Sequence, residues 1–142
     1  MDDTRAIENL IYRYASLVDA GDFAAVGELF ASGAFAGSGG VARGAPEVAG
    51  MLQSTVIRYD DGTPRTKHVT TNVSISVTGE TAESRAYFTV LQAVPGFPLQ
   101  TIAAGSYRDT FTRSAGEWQF TERRATVDLV GDVSHHLRTK RS

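Results

Sequence analysis

The stretch Lys67–Thr78, KHVTTNVSISVT, decides how the chain is read. Val69, Thr71, Val73, Ile75 and Val77 alternate with His68, Thr70, Asn72, Ser74 and Ser76. A period of two over this length marks a long half-buried β-strand, aliphatic on one face and polar on the other. The same grammar continues towards the C-terminus. Gly79 and Glu80 read as a turn. Residues 82–94 read as a second long strand, Leu99–Arg113 as a third and Trp118–Leu129 as a fourth. SAGE, from Ser114 to Glu117, is the hairpin loop between the last two, and VPGFPL, from Val94 to Leu99, marks the loop before them.

Towards the N-terminus the period changes. Ile7, Leu10, Ile11, Tyr14, Leu17 and Val18 recur at helical spacing, so residues 2–20 form an amphipathic helix. Asp2 or Asp3 can cap its start and Gly21 can end it. Asp22 is placed as the N-cap of a second, short helix that carries Phe23, Val26, Leu29 and Phe30. SGAFAGSGG, from Ser32 to Gly40, is too rich in glycine for a helix and reads as a short strand plus a loop. Pro46 near the start of APEVAGMLQSTVI marks a third helix. Helices first and antiparallel strands afterwards define an α+β domain. Strands this long curl when one face is packed and the other lines a cavity. The expected shape is a cone, a curved mixed or antiparallel β-sheet closed by the N-terminal helices around one pocket. Residues 1–142 then form a single domain, with 131–142 as a C-terminal tail.

Composition narrows the chemistry. The chain has 142 residues and a net charge of -2, so the electrostatic footprint of a nucleic-acid binder is missing apart from a short basic tail, Arg138–Arg141. There is no cysteine, which excludes disulfides, thiolate nucleophiles and cysteine-based metal sites. MDDTRAIENL is acidic and no apolar run follows it, so no secretory signal is expected. No segment has the roughly 20 apolar residues needed to span a bilayer. A cytoplasmic protein without membrane or nucleic-acid partners is expected. HExxH, GxSxG, GxGxxG and P-loop patterns are missing, and the glycines of GSGGVARG read as a loop.

Three residues stand out. Asp19 lies in the last turn of the first helix, where the macrodipole disfavours a carboxylate. It is either solvated or placed for a task. Tyr12, seven residues back, is nearly on its face, and Tyr14, five back, lies roughly 140° round. Alignment favours Tyr12 and burial favours Tyr14 as a phenol sharing a pocket with Asp19. His68 sits on the polar face of its strand, solvated or looking into the cavity, and can exchange a proton near neutral pH. Arg123 shares the face of Thr121, Ala125, Val127 and Leu129. It either snorkels at a rim or is aimed into a pocket. His135 and His136 are adjacent and project to different sides, so no metal site is expected there.

The helix IYRYASLVDAGDFAAVGELF, the strand HVTTNVSI and the terminal WQFTERRATVDLVGDVSHHL together resemble the SnoaL-like branch of the NTF2-like superfamily, which includes ketosteroid-isomerase-like proteins. The resemblance covers nearly the whole chain and implies the cone described above. Within the branch the sequence is similar to bile acid 7α-dehydratase, scytalone dehydratase and hexachlorocyclohexane dehydrochlorinase, which perform eliminations with a histidine paired to an aspartate. Their aspartate corresponds to Asp19, in VDAGD, and their histidine to His68, in HVTTN. The bile acid dehydratase's tyrosine corresponds to Tyr14 and the dehydrochlorinase's arginine to Arg123. The dehydrochlorinase also uses a lysine on its first helix. Arg5 and Arg13 do not match it, which argues against dehydrochlorination.

The resemblance therefore implies a cofactor-independent lyase of the dehydratase type, acting on a steroid, polyketide or aromatic hydroxy compound. His68 would be the base, Asp19 its orienting partner, Tyr14 a donor to the leaving hydroxyl or an oxyanion, and Arg123 a group that orients a polar end of the substrate. Asn72 is a supporting hydrogen-bond partner, and Tyr12, Tyr59, Phe88 and Tyr107 are further candidate substrate contacts. Ketosteroid isomerisation or polyketide cyclisation would use the same base with another proton destination. A non-catalytic binding module, or the small β subunit of a ring-hydroxylating dioxygenase, would keep the pair as a structural bond. The aliphatic row Val73, Ile75 and Val77 is expected on the outer face of the sheet, available to a second subunit of a homodimer or homotrimer.

Overall fold

The computed structural model describes residues 2–138, so Lys140 and Arg141 of the basic tail lie outside the described residues. Helix α1 spans Asp3–Asp19, α2 Phe23–Leu29 and α3 Gly44–Thr55; the strands are β1 Ala34–Gly37, β2 Gly40–Arg43, β3 Thr66–Thr78, β4 Thr81–Val94, β5 Phe97–Ser114 and β6 Glu117–Val130. They form one curved, open six-stranded sheet in the order β2-β1-β6-β5-β4-β3. It is a mixed sheet, because β1 runs parallel to β6 while every other pair is antiparallel.

Local chemistry sets the helix ends. Asp2 accepts the Arg5 amide at 2.8 Å and Asp22 accepts the Ala25 amide at 3.2 Å, the two N-caps expected from sequence. Gly21 turns the chain with φ +76°, and a Cβ there would stand 2.0 Å from the carbonyl oxygen of Gly62. Only glycine fits, on both counts. α1 buries Ile7, Ile11, Tyr14, Ala15 and Val18 along one stripe. Ile7 and Ile11 are fully enclosed, each contributing about 1.5–3 kcal/mol by leaving water. Its first turn is pinned to the β5–β6 hairpin, where Asp3 accepts from Arg113 at 2.8 Å and from the Trp118 indole at 3.0 Å. The helix is thus oriented at one end, and its other end carries Asp19 to the start of β3.

β3 departs from strict alternation. Its register with β4 shifts between Thr71 and Ser74, and Asn72 sits in the bulge with φ +55°, a left-handed conformation that asparagine tolerates. One extra residue reverses the facing of everything after it. His68 lies opposite Val90 and Thr70 opposite Phe88, while beyond the bulge Ile75 lies opposite Ser84 and Val77 opposite Ala82. Val90, Phe88, Ser84 and Ala82 are all buried. His68 and the aliphatic row therefore share the inner face. This corrects two expectations. Val73, Ile75 and Val77 pack against the core instead of offering an outer face to a second subunit. Asn72 is exposed at the bulge and, among the described residues, makes no hydrogen bond to the Asp19–His68 pair.

Two further differences come from pairing that sequence patterns do not encode. The glycine-rich stretch after Gly33 forms a two-stranded hairpin, stabilised on its other side by β6. The residues read as a tail also dock. The Ile57 amide donates to the His136 carbonyl at 2.8 Å, the Arg138 amide to the Thr55 carbonyl at 2.9 Å, and Leu137 bridges Val56. Among the described residues no helix is long and apolar enough to cross a membrane.

Candidate active site

Asp19 and His68 meet at the inner surface where the C-terminal turn of α1 covers the start of β3. His68 Nδ1 lies 2.6 Å from one Asp19 oxygen, the His68 amide donates to the other at 2.8 Å, and the Thr66 hydroxyl donates at 2.8 Å. Both side chains are about nine-tenths enclosed, at 10% and 11% exposure. The dipole cost of a carboxylate in a last helical turn is thus offset by three donors. Burial pushes the Asp19 carboxyl up; the hydrogen bond and charge of His68, its amide and the Thr66 hydroxyl push it down harder, so it titrates below the ordinary 3.8. An anionic Asp19 accepts a hydrogen bond from Nδ1–H, and in that tautomer the lone pair of the ring stands on Nε2. Nε2 has no hydrogen-bond partner among the described residues.

A second cluster lies deeper on the same inner face. Arg123 is fully buried and paired bidentately with Asp109, Nε at 2.8 Å and Nη2 at 3.0 Å. Asp109 also accepts from the Ser84 hydroxyl at 3.0 Å. The guanidinium lies 3.6 Å from the Tyr107 ring centre, 4.5 Å from that of Tyr14 and 5.2 Å from that of Phe120. Of the two readings of Arg123, a rim position is excluded. β6 has its own bulge between Phe120 and Glu122 opposite Phe111 and Thr110, so Phe120 and Arg123 both point inward. Burial works against the Arg123 charge, but Asp109 outweighs it and raises the pKa. Nη1 is buried without a partner. An orphaned buried donor costs about 1–3 kcal/mol, more when charged.

Tyr14 is 5% exposed and stands edge-on to Tyr107, which stacks on Phe88 at 4.6 Å. Burial pushes the Tyr14 phenol up to about 12, against the opposing charge of Arg123, so it is a hydrogen-bond donor at any ordinary pH. Burial likewise holds Tyr107 well above its usual value. Tyr12 is different. It is 42% exposed and its hydroxyl reaches Glu8 at 3.4 Å, so the expected substrate contact is corrected: two positions before Tyr14 is the opposite side of the helix. Tyr59 is half-buried and donates to the His135 carbonyl, anchoring the C-terminal turn.

That turn brings in a histidine that the sequence analysis left in the tail. His136 is 9% exposed, its ring centre is 6.2 Å from that of His68, and its Nδ1 is buried without a partner. Burial first, then the charge of His68, lowers its pKa to about 4 against the pull of Asp19. Thr66 had a legible signal, sharing the face of His68 two residues away. Asp109 had one too, an acid between the inward Tyr107 and Phe111. His136 had none, because its position depends on where the terminal turn docks. A groove of about 550 Å³ lies elsewhere, on the outer face among Ser76, Glu83, Thr110 and Thr121, and contains neither member of the pair.

An α+β domain with an open curved sheet and a half-buried histidine–aspartate pair under its first helix defines an NTF2-like protein. The model of the SnoaL-like domain family matches residues 1–124, and the chain belongs to that family. No curated protein matches it. Among solved structures, an NTF2-like protein with a cystatin-like fold from Novosphingobium aromaticivorans is 26% identical, with 88% of this chain and 81% of that chain covered and a TM-score of 0.75. LinA is 19% identical over 92% of this chain and 89% of its own, with a TM-score of 0.74. A scytalone dehydratase-like protein from Novosphingobium aromaticivorans is 20% identical over 97% and 95%, with a TM-score of 0.71. At these lower identities the likeness is one of fold.

Proposed function

We propose that this chain is a cofactor-independent lyase of the dehydratase type, acting on a hydrophobic small molecule such as a steroid, polyketide or aromatic hydroxy compound. The observation that carries the reading is the 2.6 Å contact between His68 Nδ1 and Asp19, which leaves Nε2 as an unspent base in an enclosed site. His68 Nε2 takes a proton from carbon beside an activating group. The C–H electron pair becomes the new C=C bond as the C–O bond breaks, and the departing hydroxide takes the proton from the His68 imidazolium and leaves as water, which returns the imidazole to its neutral form. Asp19 holds the imidazole and stabilises the imidazolium. Tyr14, neutral throughout, donates to the leaving oxygen or to a developing oxyanion. Arg123 offers Nη1 to negative charge, while its other nitrogens are committed to Asp109. Phe88 and Tyr107 supply apolar walls. Acid–base steps of this kind contribute about 10²–10⁴-fold each, enough for an activated C–H and too little for an unactivated one.

The test is a panel of hydroxylated steroids, polyketides and aromatics, screened for loss of water by mass and for new conjugated absorbance. With an active substrate found, His68→Ala and Asp19→Asn proteins of native fold should each lose about 10²–10⁴-fold in kcat. Full turnover in either would end this reading.

A further inference from the structure

The reading above leaves one buried imidazole without a task. His136 does not reach its position by accident of a loose terminus. The turn that carries it is fixed by four bonds to two segments: the Ile57 amide donates to the His136 carbonyl, the Arg138 amide donates to the Thr55 carbonyl, and the Tyr59 hydroxyl and Gln92 Nε2, the latter at 3.0 Å, donate to the His135 carbonyl. His135, its neighbour, stacks on Phe97 at 4.2 Å, so the two rings are sorted to opposite sides. This construction holds the His136 ring against that of His68 and withholds a partner from Nδ1, although protein interiors pair such atoms almost without exception.

We propose that His136 is a third substrate-contacting group of the site, with Nδ1 hydrogen-bonding a carbonyl or hydroxyl oxygen of the bound molecule close to the carbon that His68 deprotonates. The proposal rests on the lyase reading and adds to it a definition of substrate. The molecule must carry an oxygen function within a few bonds of the acidic C–H, because two rings 6.2 Å apart contact one functional region and not the two ends of a long frame. Both rings being available, labour divides between them. His68, held by Asp19, faces the carbon proton. His136, kept neutral by its surroundings, polarises the oxygen as an uncharged donor without competing for the carbon proton.

The test uses 1-indanone and indane, which share one frame and differ by the carbonyl oxygen. Dissociation constants for both are measured by NMR titration on the full chain as wild type, His136→Asn, His136→Gln, His136→Leu and His68→Gln. The ratio of indane to indanone dissociation constants should fall roughly three- to tenfold in His136→Leu. It should stay within about twofold in His136→Asn, whose amide occupies the place of Nδ1, and fall in His136→Gln, whose amide reaches the place of Nε2 instead. In wild type the ¹⁵N resonance of His136 Nδ1 should move with indanone and not with indane, a readout that needs no variant to fold. Both ligands binding with one unchanged ratio in all His136 variants overturns the assignment, and if binding is nevertheless lost in His68→Gln the lyase site itself stands. Binding of neither ligand to wild type at millimolar concentration overturns both.

Discussion

Replacing Asp109 by Asn isolates the largest electrostatic commitment in this molecule. Arg123 is 0% exposed, and among the described residues its only anionic partner is the Asp109 carboxylate, met by two hydrogen bonds of 2.8 and 3.0 Å. The amide keeps the shape and removes the charge, leaving a guanidinium in a low-dielectric interior with ring faces and no anion. Breaking one side of a buried pair costs about 3–5 kcal/mol. For a domain of this size each kcal/mol shifts the melting temperature by about 3–4 °C, so Asp109→Asn should melt about 9–20 °C lower. Replacing the network together has the opposite arithmetic. Arg123→Met with Asp109→Leu, and Ser84→Ala so that its hydroxyl is not orphaned, removes both desolvation costs and should return to within about 2 kcal/mol of wild type. Urea unfolding with unchanged m-values measures the cycle, and the coupling between positions 109 and 123 should be at least about 2 kcal/mol. A loss below about 1 kcal/mol for Asp109→Asn would refute the reasoning, because it would mean that Arg123 reaches water or another anion. If the apolar triple variant is as stable as wild type but inert on the identified substrate, stability is not what maintains the pair. Arg123 would then be held there for Nη1.

Two further outcomes follow from the site. His136 is neutral in the folded protein down to about pH 4 but takes a proton near 6.5 when unfolded, so the unfolded state binds more protons between these values and stability must fall as pH drops from 6.5 to 4. Holding the proton off over that span corresponds to about 3 kcal/mol, and in His136→Asn the urea midpoint should lose that slope; an unchanged slope would place the histidine in water. At the β3 bulge, Asn72→Gly should be nearly neutral, whereas Asn72→Val should cost about 1–2 kcal/mol at φ +55° and shift the His68 ring resonances, both read from thermal melts and NMR.

What the sequence made legible was whatever a few neighbouring residues decide. The stripe Ile7–Ile11–Tyr14–Val18, the caps Asp2 and Asp22, and the turns at Gly79 and Gly116 are local, and they stand where the pattern put them. The α+β class followed from those alone. The candidate site needed more. Asp19 and His68 were visible as chemistry, but their contact spans 49 positions of chain, and no local rule reaches across that distance. Arg123 was ambiguous between rim and interior until Asp109 stood opposite it in the ladder, even though an acid alternating with Tyr107 and Phe111 already required a buried cation. The reading of β3 failed for an instructive reason. Strict alternation assigned His68 and Ile75 to opposite faces, and Asn72 between them was counted as one more polar residue. It is the one member of the row at ease in a left-handed backbone, and a single such residue reverses parity. The strand therefore delivers a base at one end and core aliphatics at the other to the same side of the sheet. A perfectly alternating strand could have supplied one or the other. In this chain the break in the pattern is what lets a packed interior and a titratable pair occupy one face.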